Sequence, residues 1–308
     1  MIVSFHPRLA GSVDLRLPGG PSFSAEVAEV LSRARAVVVP QSVRPEHYAA
    51  CLRACESVFP DYRGRFGQAG KSFEGKSGAA ALFAACGAAH PKTLCFASAT
   101  ELRERCRSGL PQNLSMNLSM NLPENLPENL PENLPENLPM ALPFVLKGDR
   151  GGGGSWVWLI RGSADLDAPL AALERLGWPV VVQEFVPHGG RDARVVVVGE
   201  RLFSYWRRQN DPAEFRCNVV RGGVLDFESE PGLLAKAEGA VRALRRRVGL
   251  NLAAFDLVFR SEEPLFLEVN YCFGRRGLAT AGDYYALVAA EVNGWLSRLG
   301  CESRIRPR

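Results

Sequence analysis

The chain has 308 residues, 46% of them hydrophobic and 23% charged, which suits one large folded domain or two to three modest ones and excludes a wholly disordered or collagen-like polymer. Lys and Arg total 37 against 33 Asp and Glu, a net charge of +4, too small and too dispersed for a dedicated nucleic-acid binder. No run reaches the ~18 apolar residues of a membrane span, and His6, Pro7 and Arg8 break the short apolar N-terminus, so a cytoplasmic protein is expected.

The eight cysteines contain no C-x-x-C pair, and the four histidines do not supply zinc-ligand spacing. Reduced thiols and no structural metal are therefore expected. Ile2 to Phe5 and the β-branched run Ala36 to Pro40 predict strands, with helices over Phe23 to Arg35 and His47 to Val58. That order opens an α/β sheet and defines a small N-terminal domain, residues 1–72. Gly75 to Gly87 then carries Ala79, Leu82, Phe83 and Cys86 at helical spacing, and Thr93 to Ala97 reads as the following strand.

Residues 113–140 are a four-residue repeat, mostly Asn-Leu-Pro-Glu. Prolines spaced by four from Pro123 to Pro139 forbid an α-helix, and the period is too short for a solenoid unit, so an exposed, partly disordered insertion is expected. Beyond it, strands are predicted over Pro143 to Lys147, Trp156 to Ile160, Val180 to Phe185, Arg194 to Val198, Leu202 to Arg207 and Asn218 to Val220. A basic amphipathic helix, Gly232 to Val248, precedes strands Ala254 to Phe259 and Leu265 to Val269. A core-facing helix over Tyr284 to Leu299 and a basic tail, residues 301–308, end the chain.

Lys147 closes an apolar strand shortly before four consecutive glycines, 151 to 154. Such a run can close backbone N–H groups over a phosphate, with the lysine supplying charge, or it can be a plain hairpin turn. It is not a Walker motif, because the lysine precedes the glycines. Near the far end, strand alternation puts Glu268 and Asn270 on one face, and Asp256 lies in the preceding strand. These oxygen ligands suit magnesium; the alternative is the solvent face of an edge strand.

Further motifs join these in order: Gln-Glu-Phe-Val (183 to 186), Gly-Arg-Asp-x-Arg (190 to 194), Phe-Arg-x-Asn-x-x-Arg-Gly-Gly (215 to 223), Phe-Asp (255 to 256) and Glu-Val-Asn (268 to 270). The ordered series resembles the ATP-grasp superfamily, most closely its RimK-type branch of glutamate-ligase and glutathione-synthetase-like proteins, over roughly Phe73 to Val292 apart from the repeat.

The resemblance implies an α/β fold in which a small N-terminal α/β domain, like the one that precedes other ATP-grasp units, is followed by a two-lobed α+β ATP-grasp unit, residues 73–300. It implies that Lys76 and Lys147 touch nucleotide phosphates under a loop containing Gly152 and Gly153. Glu184, Phe185 and Val186 correspond to the hinge that holds adenine, Asp192 to a nucleotide-contacting acid, and Arg216 with Asn218 to the polar pair beside the phosphates. Asp256, Glu268 and Asn270 correspond to ligands of Mg2+, with Mn2+ as the other candidate ion. Arg194, Arg208 and Arg221 are placed where cations stabilise the transferred phosphoryl group.

The implied activity is ATP-dependent joining of a carboxylate to an amine through an acyl phosphate, on small-molecule or peptide substrates, with no nucleic acid or membrane partner. A kinase-like phosphotransferase and a non-catalytic nucleotide-binding module are the alternatives. Several residues also have plain readings: Arg207 and Arg208 as a solvated strand end, His188 as a loop residue, and Arg245 to Arg247 as a solvated helix face. After Glu-Val-Asn the chain departs from the branch's usual small-residue, proline and glycine text with Tyr-Cys-Phe-Gly-Arg-Arg-Gly (271 to 277). There Arg275 and Arg276 either bind a carboxylate bidentately or cap a loop.

Overall fold

The computed structural model describes residues 1–67, 73–108 and 139–308, so the repeat lies almost wholly outside the described residues. The chain begins with β1 (Ile2–Ser4), β2 (Leu9–Ala10), β3 (Val13–Asp14), α1 (Ala25–Ser32), β4 (Ala36–Val38), α2 (Pro45–Ala54), β5 (Val58–Phe59) and the single turn α3 (Arg63–Phe66). β1, β3, β4 and β5 form a parallel sheet in the order β3-β1-β4-β5. The helix expected to run to Val58 stops at Ala54, because Cys55 is extended and Val58 is recruited to pair with Val37.

Next come α4 (Gly75–Ala85), β6 (Thr93–Phe96), α5 (Ala99–Ser108), β7 (Phe144–Gly148), β8 (Val157–Ile160), α6 (Asp167–Leu176) and β9 (Val180–Glu184). Their strands make an antiparallel sheet, β6-β9-β7-β8. α5 and α6, both additional to the predicted elements, cover it, and Leu102, Leu170 and Leu173 are buried with Phe144, Leu146 and Val182 in one cluster. This is the first lobe.

The second lobe is the sheet β12-β11-β10-β13-β14, built from β10 (Arg191–Val198), β11 (Arg201–Arg208), β12 (Val224–Asp226), β13 (Leu252–Arg260) and β14 (Glu263–Asn270), with α7 (Pro231–Val248) between β12 and β13. Val195 to Val198 are fully buried, as a central strand covered on both faces requires. Asn218 to Val220 is not the strand predicted there. Val219–Arg221 form a 3-10 turn, closed by Gly222 at φ +89° and by Arg221 N–H donating to Asn218 O at 2.8 Å.

α8 (Tyr284–Arg298) packs on the second lobe and N-terminal sheet, and β15 (Arg306–Pro307) pairs with β2. The basic C-terminal residues are thus tied down, with Ile305 buried. One hydrophobic cluster runs from Ile2 and Val37 through Phe255 to Val292, joining the N-terminal sheet to the second lobe. The first lobe has its own core, and β9 leads from it into Phe185 and Val186.

Candidate functional site

Between the two lobes lies a cleft lined by residues of both, the kind of concave setting in which small-molecule sites are found. Of the residues singled out above, Lys76, Lys147, Gly152, Gly153, Glu184, Phe185, Val186, Asp192, Arg194, Arg216, Asn218, Asp256, Glu268 and Asn270 all line it. Arg208 and Arg221 do not.

Lys147 ends β7, and its Nζ donates to Gln183 Oε1 at 2.6 Å, while Gln183 Nε2 donates to Thr93 Oγ1 at 3.0 Å. Burial lowers the Lys147 pKa to about 8, the repulsion of Lys76 adds to that, and Glu268 and Asp256 partly oppose it. Lys76, at the start of α4, donates to Gly151 O at 3.3 Å. α4 is capped by a residue distant in sequence: Asp149 Oδ1 accepts from Ser77 N–H at 2.8 Å and Ser77 Oγ–H at 2.6 Å, and Asp149 O accepts from Lys76 N–H at 3.2 Å. Asp149 therefore ties the root of the glycine loop to the helix that presents Lys76.

The loop needs its glycines, since Gly151, Gly153 and Gly154 have φ of +93°, +64° and +74°, conformations that L side chains rarely adopt. Arg216 Nη1 donates to Gly154 O at 2.9 Å and Val157 O at 3.2 Å, and Glu214 grips the same guanidinium. Arg221 is exposed and reaches Gly153 O at 3.4 Å. Its place is over the loop's outer side.

A buried charge network forms the floor. Arg194 pairs with both Asp256 oxygens at 2.7 and 2.8 Å, and Arg207 pairs with both Asp192 oxygens at 2.7 and 2.6 Å and with Asp256 at 3.0 Å. Burial acts to raise the Asp256 pKa, but Arg194 and Arg207 outweigh it and hold the carboxyl below its ordinary value. Asp192, expected to meet the nucleotide, is thus engaged by Arg207. Arg208, expected among the transferring cations, lies on the opposite face of β11 and pairs with Asp226 at 3.0 Å. Its place in the cleft is taken by Arg207, read above as a solvated strand end.

Asp256 and Glu268 are register partners on β13 and β14, and Ala254 pairs with Asn270, so the three oxygen-bearing side chains share a face. Asn270 Nδ2 donates to Asp256 Oδ2 at 3.3 Å. Among the described residues no three His, Cys, Asp or Glu side chains form a metal cage by themselves. The oxygen donors nonetheless fit Mg2+, which binds one or two carboxylates and takes further ligands from substrate phosphates.

At the hinge, the Glu184 carboxylate accepts from Lys92 N–H at 3.2 Å and Arg260 at 2.6 Å. Val186 packs with Val258, Leu265 and Leu267. Cys217 Sγ lies 4.0 Å from His188 Nδ1, yet burial pushes the thiol up to about 12, so it is no nucleophile at neutral pH. Sequence reasoning missed Arg207, Gln183 and Asp149 as parts of the site.

This arrangement is the ATP-grasp fold. A RimK-domain ATP-grasp protein from Sphaerobacter thermophilus aligns over 94% of this chain and 98% of its own, with a TM-score of 0.56 at 15% identity. D-alanine–D-alanine ligase from Bacillus anthracis, solved with ATP, aligns over 93% and 86%, with a TM-score of 0.50 at 13% identity.

Within that fold, residues 121–284 match the RimK-like ATP-grasp domain, and the chain belongs to this family. A probable alpha-L-glutamate ligase 1 of Hahella chejuensis is 41% identical over 106 residues, 33% of each chain. A probable alpha-L-glutamate ligase of Pseudomonas putida is 32% identical over 137 residues, 44% of this chain and 43% of that protein. The chain thus matches less than half the length of these curated relatives.

Proposed function

We propose that the protein is a cytoplasmic ATP- and Mg2+-dependent ligase that joins a carboxylate to an amine through an acyl phosphate. The observation that carries this reading is the lining of the interlobe cleft: an apolar hinge side with Val145, Phe185, Val186, Val258 and Leu267, and five cations, Lys76, Lys147, Arg194, Arg207 and Arg216. The apolar surfaces suit a purine, and the backbone at Phe185 and Val186 can read its edge, since the Glu184 carboxylate is engaged elsewhere.

Lys76 and Lys147 offset triphosphate charge, and Arg216 and the glycine loop cover it. Glu268, Asn270 and Asp256 would hold Mg2+, which neutralises phosphate charge when bound. A substrate carboxylate oxygen attacks the γ-phosphorus, and the bond to the β–γ bridging oxygen breaks, releasing ADP. An amine then attacks the acyl carbon, the amide forms, and phosphate leaves with the C–O electron pair while the amine loses its proton to solvent. Phosphoryl transfer of this kind is mainly positioning, which buried arginines held by Asp192 and Asp256 provide.

The names of the relatives make L-glutamate the first substrate to try. ADP and phosphate release should require a carboxylate and an amine together, and mass spectrometry should show the condensed product. A stable phosphorylated acceptor would replace this reading with a kinase-like one; nucleotide binding without turnover on any acid and amine would leave a binding module.

A further inference from the structure

Three polar side chains run in a line across the first lobe's sheet, on the face away from its hydrophobic core. Thr93 of β6 is the register partner of Gln183 of β9, and Gln183 pairs with Val145 of β7, two residues before Lys147. Period-two alternation therefore sets Thr93, Gln183 and Lys147 on one face, while Leu94, Val182 and Leu146 take the other with the core. Thr93, Gln183 and Lys147 are only 5%, 4% and 8% exposed. Gln183 and Lys147 line the cleft, and Thr93 reaches it only through Gln183.

The direction of each hydrogen bond in this line is forced. The Thr93 hydroxyl donates to Pro91 O at 2.7 Å, and a hydroxyl has one hydrogen to give. Toward Gln183 it can only accept, so the amide must present its NH2 there, and Gln183 Nε2 donates to Thr93 Oγ1 at 3.0 Å. The amide oxygen lies at the other end of the same rigid plane. It accepts from Lys147 Nζ at 2.6 Å, the one orientation an ammonium tolerates, since it has no lone pair to offer. The opposite orientation would turn N–H groups toward a buried cation.

This anchor matters because Lys147 sits on a flexible stem of four methylenes. Its bond to Gln183 uses one of three ammonium donors and is the hydrogen bond that Nζ makes among the described residues; the other donors are left for an anion in the cleft. Without the Thr93 oxygen, Gln183 Nε2 would be a buried donor with no acceptor, which costs enough to turn the amide toward another partner. Because oxygen and nitrogen share one plane, that turn draws Oε1 off Lys147.

We propose that Thr93 is a positioning residue of the nucleotide site: by fixing which end of the Gln183 amide faces Lys147, it sets where the ammonium meets the triphosphate. The inference rests on the nucleotide-binding part of the ligase reading. A purely structural Thr93 would instead only fasten the edge strand β6 to β9.

The test is calorimetric titration of a non-hydrolysable ATP analogue with Mg2+ into the full-length wild type, Thr93→Val, Thr93→Ser, Lys147→Met and the Thr93→Val/Lys147→Met double variant. Thr93→Val keeps the side-chain shape without the hydroxyl and should weaken binding about five- to tenfold. Thr93→Ser restores the hydroxyl and should bind within about twofold of the wild type. In the Lys147→Met background Thr93→Val should cost nothing more, because its effect passes through the ammonium. Wild-type affinity in Thr93→Val, no rescue by Thr93→Ser, or an equal further loss in the Lys147→Met background would each overturn the proposal. Should Thr93→Val not fold, Thr93→Ala replaces it with the same expectations, and failure of both to fold would make the hydroxyl structural and overturn the proposal as well. A folded wild type that binds no nucleotide would instead remove the ligase reading, and the role of Thr93 with it.

Discussion

Lys147 should give ATP affinity and apo-protein stability opposite dependences on pH. Its pKa falls from 10.5 to about 8 in the folded protein, mainly through burial. The drop corresponds to about 3 kcal/mol of penalty for keeping the ammonium charged. Between pH 8 and 10.5 the unfolded chain holds this proton and the folded protein does not, so the Lys147 contribution makes the unliganded protein more stable as pH rises through that window. Triphosphate binding favours the charged form, so ATP affinity should fall above pH 8. Near that pH, binding should take up about half a proton from the buffer.

Lys147→Met separates the two effects. It removes the desolvation penalty but leaves the Gln183 carbonyl, now 2.6 Å from Nζ, without its donor, at a cost of about 1–3 kcal/mol. The two nearly cancel, so the melting temperature should move by only a few degrees. ATP binding loses a charge-assisted contact of about 1.5–3 kcal/mol, roughly a 10- to 150-fold rise in Kd. Calorimetry in buffers of different ionisation enthalpy measures both affinity and proton uptake. Wild-type binding with no proton linkage at pH 8, or Lys147→Met binding ATP as the wild type does, would refute the assignment.

Glu268→Gln should leave the melting temperature unchanged and cut Mg2+-dependent turnover by ~100-fold, the scale on which loss of one electrostatic stabiliser acts; full turnover in a coupled ADP assay would exclude it as a ligand. Arg207→Ala strands the buried Asp192 carboxylate and leaves Asp256 with Arg194 as its remaining arginine partner, and should cost about 3–5 kcal/mol in denaturant unfolding, whereas Arg208→Ala should leave the unfolding midpoint where it is. Equal effects of the two arginine variants would contradict the face assignment of β11. Gly277→Ala drives a methyl into the Tyr205 ring and should destabilise by about 1–3 kcal/mol, read from the same unfolding curves.

The arginine pair marks where sequence reading succeeds and where it stops. Period-two alternation suffices to put Glu268 and Asn270 on one face, and the register of β13 against β14 brings Asp256 to them. The same logic, applied across the Gly199-Glu200 turn, sets Asp192 opposite Arg207 and Arg194 opposite Tyr205. A two-residue hairpin therefore makes Arg207 readable, since it pairs Arg208 with Arg191 and Arg207 with Asp192. The α6 helix was legible in Leu170, Leu173 and Leu176, but Pro169 in its first turn obscured it, although proline is tolerated there.

Other features had no local signal. Asp149 caps α4 from 72 residues further along the chain than Ser77, and the Glu184 carboxylate is claimed by Arg260, 76 residues away. Neither can be read from spacing, because each depends on how the first lobe closes on the second. A motif series identifies the nucleotide side because one substrate imposes one set of charges. The charged floor is assembled by tertiary packing, where β10 and β11 bring Arg194 and Arg207 to Asp256 of β13, a meeting that no run of letters contains.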